Sequence, residues 1–197
     1  SSTAFADVSD DRAFDMRTLP QIETPRVLLR VPVLADIDRW AEAMDDEETT
    51  RYLGGRQPRS MVWRALMCMI GAWHETGVSM FSVVRKDTGQ WIGRIGPWCP
   101  DGWPGNEVGW TLHRDAWGHG LALEASVACM DYAFDALGWD RVIHTIDPQN
   151  LASQRLAQRL GSALLGPPRL PAPHDQVQVE MWGQSRTEWM VRRSALV

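Results

Sequence analysis

Residues 107–125, EVGWTLHRDAWGHGLALEA, constrain this chain more than any other stretch. An alternating strand pattern runs through a loop in which Gly118 and Gly120 flank one residue, then straight into an apolar-periodic helix. Glycines let a backbone turn sharply and approach a ligand closely. The first N–H groups of the helix have no partner within it and point outward at the positive end of the helix dipole. Such an end suits an anion, best one with two or more phosphates. The glycines alone fit equally well with a tight turn that binds nothing.

The flanking sequence supplies the frame. The next helix carries Leu123, Val127, Met130, Phe134 and Leu137 at +4, +3, +4, +3, and Gly138 closes it before a strand over residues 141–146. Strand, helix, strand in about forty residues is a crossover unit, so the two strands run parallel. Within the first, Glu107, Gly109 and Thr111 face one side and Val108, Trp110 and Leu112 the other; mid-strand Gly109 signals a bulge or a close approach. Asn150 N-caps a helix with Ala152, Leu156 and Leu160, which Gly161 ends.

Upstream, residues 22–33 read as a first strand and residues 35–44 as a helix. The acidic run 45–48 is a solvated face or a lure for a cationic substrate. A loop spans residues 52–60. The helix over residues 61–73 is apolar nearly all round, which calls for a second burial partner: a subunit, an acceptor pocket or the domain core. Strands follow at 78–84 and 91–98, joined by a hairpin turn at Asp87-Thr88-Gly89-Gln90. Near the end, residues 162–165 and 177–181 read as strands, with 187–191 pairing back.

Residues 1–20 form a loose arm without the pattern of a secretory signal, and 21–197 one domain. A net charge of −5 with scattered basic residues gives no footprint for nucleic acid, and no apolar run suits a membrane span. Cys68, Cys99 and Cys129 lack C-x-x-C spacing and the five histidines lack metal-ligand spacing, so the expectation is a cytoplasmic protein with no metal.

In order along the chain, TPRVLLR, WIGRIG, EVGWTL with WGHGLALEA, and DPQNLASQRLAQRLG resemble the GNAT superfamily of N-acetyltransferases, in particular the branch that includes the ribosomal-protein-alanine N-acetyltransferases. The resemblance covers residues 22–192. It implies an α/β (α+β) fold: a mixed, mostly antiparallel six- to seven-stranded sheet with two central parallel strands splayed apart, and about four helices. It also implies an acetyl-CoA-dependent enzyme acetylating a primary amine, on a small molecule or a peptide N-terminus, by direct transfer in a ternary complex. The cofactor-binding residues it points to are Leu112, Trp117, Gly118, His119, Gly120, Leu121, Ala122, Asn150 and Ser153. Glu107 is the candidate base, acting through water; Ser153 is the candidate donor to the departing thiolate. Each has a plainer reading, a solvated glutamate at a strand start and a first-turn serine bonded to backbone. Asp115 stands where the signature has Arg or Gln, Ala157 where many members carry a tyrosine acid, and Ser162 where a phenylalanine is usual. The odd Asp115 keeps open a non-catalytic acyl-CoA-binding sensor or interaction module. The all-round apolar helix makes a homodimer a reasonable expectation.

Overall fold

A computed structural model describes residues 19–196, so the expected arm falls almost wholly outside the described residues. The strands are β1 (Gln21–Glu23), β2 (Val27–Arg30), β3 (Phe81–Arg85), β4 (Trp91–Trp98), β5 (Glu107–Leu112), β6 (Arg141–Ile146), β7 (Ala163–Gly166) and β8 (Glu180–Ser185). They form one sheet in the order β1-β2-β3-β4-β5-β6-β8-β7, antiparallel throughout except for β5 and β6. The helices are α1 (Ile37–Asp45), α2 (Glu47–Thr50), α3 (Arg59–Thr76), α4 (Leu121–Asp131, continued by a π turn over Tyr132–Ala136), α5 (Leu151–Leu160) and α6 (Arg186–Ser194).

The expected mixed α/β sheet with its parallel pair is present, with eight strands in place of six or seven and six helices in place of about four among the described residues. The extra elements come from three places. Residues 22–33 are a hairpin, β1 against β2 with Gln21 opposite Arg30, because Pro25 breaks the run. Asp46 accepts from the Thr49 amide and turns the acidic run into the short α2. Residues 187–191 lie in a helix, not a strand. Ser185 and Glu188 form a reciprocal capping box, and α6 buries Trp189 against Phe134 at 6.4 Å. The last strand begins at Glu180 rather than 177, since six-residue pairing with β6, from Ile146↔Glu180 to Arg141↔Ser185, outweighs the local alternation.

Two cores cover the two faces of the sheet. On one, α4 packs Leu121, Ala125, Cys129, Met130 and Phe134 against Val83, Ile95, Val108 and Val142. On the other, α1 and α3 bring Trp40, Met44, Val62, Leu66 and Met69 against Trp91 and Met80. Burial of each large side chain contributes about 1.5–3 kcal/mol. The domain core is thus the partner that α3 required, although Met61 and Trp63 on its outer face stay about half exposed.

Candidate active site

The central parallel pair diverges almost as soon as it forms. Glu107↔Ile143 is its single bridge, made by Ile143 N donating to Asn106 O at 2.9 Å. One step further, the Thr145 amide and the Val108 carbonyl would carry a parallel ladder onward. Both are taken by side chains instead. Thr145 N donates to Glu107 Oε1 at 3.0 Å, and His144 Nδ1 donates to Val108 O at 2.7 Å. Buried backbone groups must be paired, so Glu107 and His144 allow the strands to part without leaving an orphan.

The wedge widens toward a cavity of about 600 Å³. Its walls come from β5 (Trp110, Thr111, Leu112), the glycine loop and start of α4 (Trp117, Gly118, Gly120, Leu121, Ala122), α5 (Asn150, Ser153) and the chain around α2 (Glu48, Tyr52). Gly118 and Gly120 hold φ of +78° and +74°, a left-handed geometry that other residues adopt at a cost. The first helical bond of α4 is Glu124 N to Gly120 O, so the amides of Leu121, Ala122 and Leu123 have no partner within the helix. The cradle is one residue shorter than expected, because the Trp117 amide donates to Arg114 O at 3.1 Å. Trp117 contributes its ring instead; its indole N–H donates to Leu112 O at 3.0 Å while the side chain stays half exposed in the cavity wall.

The other expected site residues divide. Asn150 caps α5, accepting from Ser153 N at 3.1 Å, and both residues line the cavity. Ser153 Oγ accepts from Trp110 Nε1 at 3.1 Å, which leaves its own O–H free to donate into the space. His119 borders a neighbouring cleft with Arg26, Arg85 and Lys86 rather than the cavity. Glu107 stands at the closed end of the wedge, outside the cavity lining, 5% exposed. Trp103 Nε1 donates to its Oε2 at 2.6 Å and Thr145 Oγ1 to Oε1 at 3.0 Å. Burial holds this carboxyl above the ordinary carboxylate range, against the pull of those donors.

The departures in sequence have structural uses. Asp115 pairs with Arg39 at 2.6 Å and with His113 at 2.8 Å, fastening α1 to the glycine loop. Ser162 donates to His144 Nε2 at 2.9 Å while accepting from Gln184 Nε2 at 2.9 Å, so the polar group after Gly161 completes the chain that ends on the Val108 carbonyl. Burial pushes His144 down to about 4, which keeps it the neutral Nδ1–H tautomer that this chain requires. Sequence reasoning missed His144, Trp110 and Arg26. Only the strand alternation, which puts His144 and Trp110 on the helix-packed face, hinted at the first two.

Among the described residues, no group of three or more His, Cys, Asp or Glu side chains is arranged to hold a metal, and no helix is long and apolar enough to cross a membrane.

A mixed sheet wedged open between its two parallel strands, with a cavity beside the start of α4, defines the class of fold. The chain belongs to the GNAT acetyltransferase family, whose acetyltransferase domain matches residues 26–163. It is 33% identical over 141 residues to the uncharacterised N-acetyltransferase p20 of Bacillus licheniformis, a match spanning 70% of this chain and 79% of that protein. It is 37% identical over 87 residues to the uncharacterised protein YkkB of Bacillus subtilis, where the match spans 43% of this chain and about half, 51%, of the relative. Among solved structures, an acetyltransferase from Agrobacterium tumefaciens superposes with a TM-score of 0.76 at 27% identity, covering 86% of this chain and 96% of that one. A candidate ribosomal-protein-serine acetyltransferase from Vibrio cholerae shares the fold at a TM-score of 0.72 and 19% identity, covering 84% and 97%.

Proposed function

We propose that this protein is an N-acetyltransferase that uses acetyl-CoA and transfers the acetyl group directly to a primary amine in a ternary complex. The observation that carries the reading is the wedge: β5 and β6 share one bridge and open onto a cavity at whose wide end sit helix amides with no partner in α4. These features fit a diphosphate at Gly118–Ala122 and an extended arm along Leu112 and Asn150. Acetyl-CoA supplies the activated thioester; the chain has to bind it, orient it and manage two protons.

Each role has a residue. The first-turn amides of α4 and the Trp117 ring hold and shape the cofactor end of the cavity. Ser153, its acceptor lone pair engaged by Trp110, presents its O–H to the position where a thiolate departs. Glu107 takes the amine's proton through water from the closed end of the wedge. Its raised pKa suits that task better than an ordinary surface carboxylate does. The same carboxylate caps the Thr145 amide, so base and strand clamp are one group. A non-catalytic sensor loses its main ground once Asp115 is accounted for by Arg39 and His113.

The direct test incubates the protein with acetyl-CoA and a panel of small amines and short peptides, reading the free CoA thiol. Amine-dependent thiol release is expected. Tight acetyl-CoA binding with no release across the panel overturns the transferase reading in favour of a binding module. The open rim around Tyr52 and Leu53 is compatible with a small amine or a peptide N-terminus, and the same panel separates them. A single folded domain over residues 21–197, working in the cytoplasm alone or as a homodimer, completes the proposal.

A further inference from the structure

The face of the sheet opposite α4 carries an arrangement that the cofactor side does not use. Across β4 and β5 the register pairs Arg94 with Thr111, Gly96 with Gly109 and Trp98 with Glu107. Cross-strand partners share a face, so Arg94 stands at one end, Glu107 at the other, and two glycines leave bare backbone between them. The Met80 side chain lies over the Gly109 end of this floor: a Cβ on Gly109 would come 2.4 Å from Met80 Cε, whereas one on Gly96 would first meet Phe81, its Cδ2 at 3.0 Å and its amide nitrogen at 3.2 Å.

Arg94 is half-buried and has no carboxylate partner among the described residues, although it and Glu107 lie close enough to feel each other's charge. Its Nε is buried without a hydrogen-bond partner, its Nη1 reaches only the Met80 sulfur at 3.9 Å, and its flat face rests over Trp40 at 5.4 Å. A guanidinium presents a planar fork of donors suited to a carboxylate, and leaving such a group unpaired in a buried setting is costly. By contrast Arg26, Arg30, Arg39 and Arg59 each hold an acid at 2.6 Å. Thr111, the direct cross-strand partner of Arg94, lines the cofactor cavity, so the cavity reaches this face.

We infer that the floor over Gly96 and Gly109 is the acceptor subsite, and that the acceptor is a small amine bearing a carboxylate, its acid on Arg94 and its amine toward Glu107. Met80, with its flexible thioether chain, holds the place of the acceptor and swings aside for it. A positive end and an acidic end on either side of the buried Met80 side chain complement a zwitterion once that side chain moves, and discriminate against amines lacking the acid. The inference rests on the transferase reading above for the direction of the amine.

The test uses the full chain as wild type, Arg94→Met and Arg94→Lys. Initial rates with acetyl-CoA are measured for glycine, β-alanine, L-methionine and L-tryptophan and for the corresponding amides. In parallel, calorimetry measures binding of N-acetyl-L-methionine and of its amide to the CoA-loaded protein. The expected result is a preference of about 10- to 100-fold in kcat/KM for the acids in the wild type. That preference disappears in Arg94→Met through KM, is partly kept in Arg94→Lys, and leaves CoA affinity unchanged. Equal or better rates with the amides overturn the inference. If no amine supports turnover, the transferase reading fails and calorimetry decides the subsite: binding of the acid that depends on Arg94 upholds it, and binding that is absent or indifferent to Arg94 overturns it.

Discussion

Arg26 and Glu124, 98 residues apart, meet at the back of the glycine loop: Arg26 Nε donates to Glu124 Oε2 at 2.6 Å, and Arg26 Nη1 donates to the His119 carbonyl at 2.8 Å. The Thr24 hydroxyl and the Arg26 amide also donate to Glu124 Oε1, at 2.6 and 2.8 Å. The β1–β2 turn therefore grips both the loop and the first turn of α4, fixing the direction in which the cradle amides point. Arg26→Ala is expected to weaken CoA binding about tenfold while costing under about 1 kcal/mol of stability, since the guanidinium is half exposed and such pairs add little. Calorimetry and denaturant unfolding measure the two effects. An unchanged CoA affinity removes Arg26 from the cradle's support.

Gly120 and Gly138 share nearly the same backbone, φ of +74° and +68°, but only Gly120 faces the cavity. A side chain at either position strains the backbone by about 1–3 kcal/mol. At Gly120 its Cβ also comes 3.5 Å from Arg26 Nη2, so a larger side chain displaces the brace that holds the cradle loop in place. Gly120→Val is expected to abolish CoA binding, and Gly138→Val to lower the melting temperature with CoA affinity intact. Equal CoA affinity in the two variants means the cavity lies elsewhere.

Glu107→Gln separates the two roles assigned to this side chain. The amide oxygen still accepts from Thr145, while the new NH₂ faces the Trp103 N–H, donor against donor, so a stability loss of about 1–3 kcal/mol is expected. Turnover should fall by about 10²- to 10⁴-fold with little change in CoA affinity. The wild-type kcat/KM should rise with pH as the carboxyl deprotonates, at a pKa above the ordinary carboxylate range, and that limb should vanish in the variant. Retention of the limb assigns the base to another group and leaves Glu107 as the strand clamp alone.

Much of the fold was legible because its central unit is local. Period-two alternation over β5 and the helical spacing of α4 place Glu107, the glycine loop and Leu121 without tertiary information, and Asn150 announces α5 by its capping chemistry. What failed was of two kinds, one set by long-range pairing and one by a local cap that competed with the alternation. Only β6 tells the chain that its last strand starts at Glu180, and only a capping box weighed against the alternation would have revealed α6. In the site, the glycines and Ser153 could be read from motifs, whereas the role of His144 could not. Its importance comes from Val108, Ser162 and Gln184, which lie on three other segments.

Ser153 depends on Trp110 for its orientation. With the indole donating to Oγ, the hydroxyl keeps its own proton to donate, and Ser153 lines the cavity. Ser153→Ala should lower kcat about 10- to 100-fold at unchanged CoA affinity. Trp110→Phe should give a smaller loss in the same parameter, because the hydroxyl remains but is no longer held. Stopped-flow single turnovers isolate the chemical step; an unaltered rate in Ser153→Ala assigns the thiolate's proton to solvent.

His144 makes the wedge sensitive to acid. It is 1% exposed and neutral in the fold, with its pKa pushed down to about 4 from an ordinary 6.5 by burial. Protonation would put a donor on Nε2 where the Ser162 hydroxyl now donates, and a charge that meets no carboxylate among the described residues. Between those two values the unfolded chain binds the proton and the folded chain does not, so folding stability falls as pH drops. The contribution is fully present above pH 6.5 and is lost progressively down to about pH 4. From the size of the shift the loss is about 3 kcal/mol. Urea unfolding at pH 7.5 and pH 4.5 should show most of that loss in the wild type and a smaller one in His144→Asn, which cannot take up the proton. A slope unchanged by the substitution transfers the acid sensitivity to other groups and leaves the neutral imidazole a packing element beside Trp110.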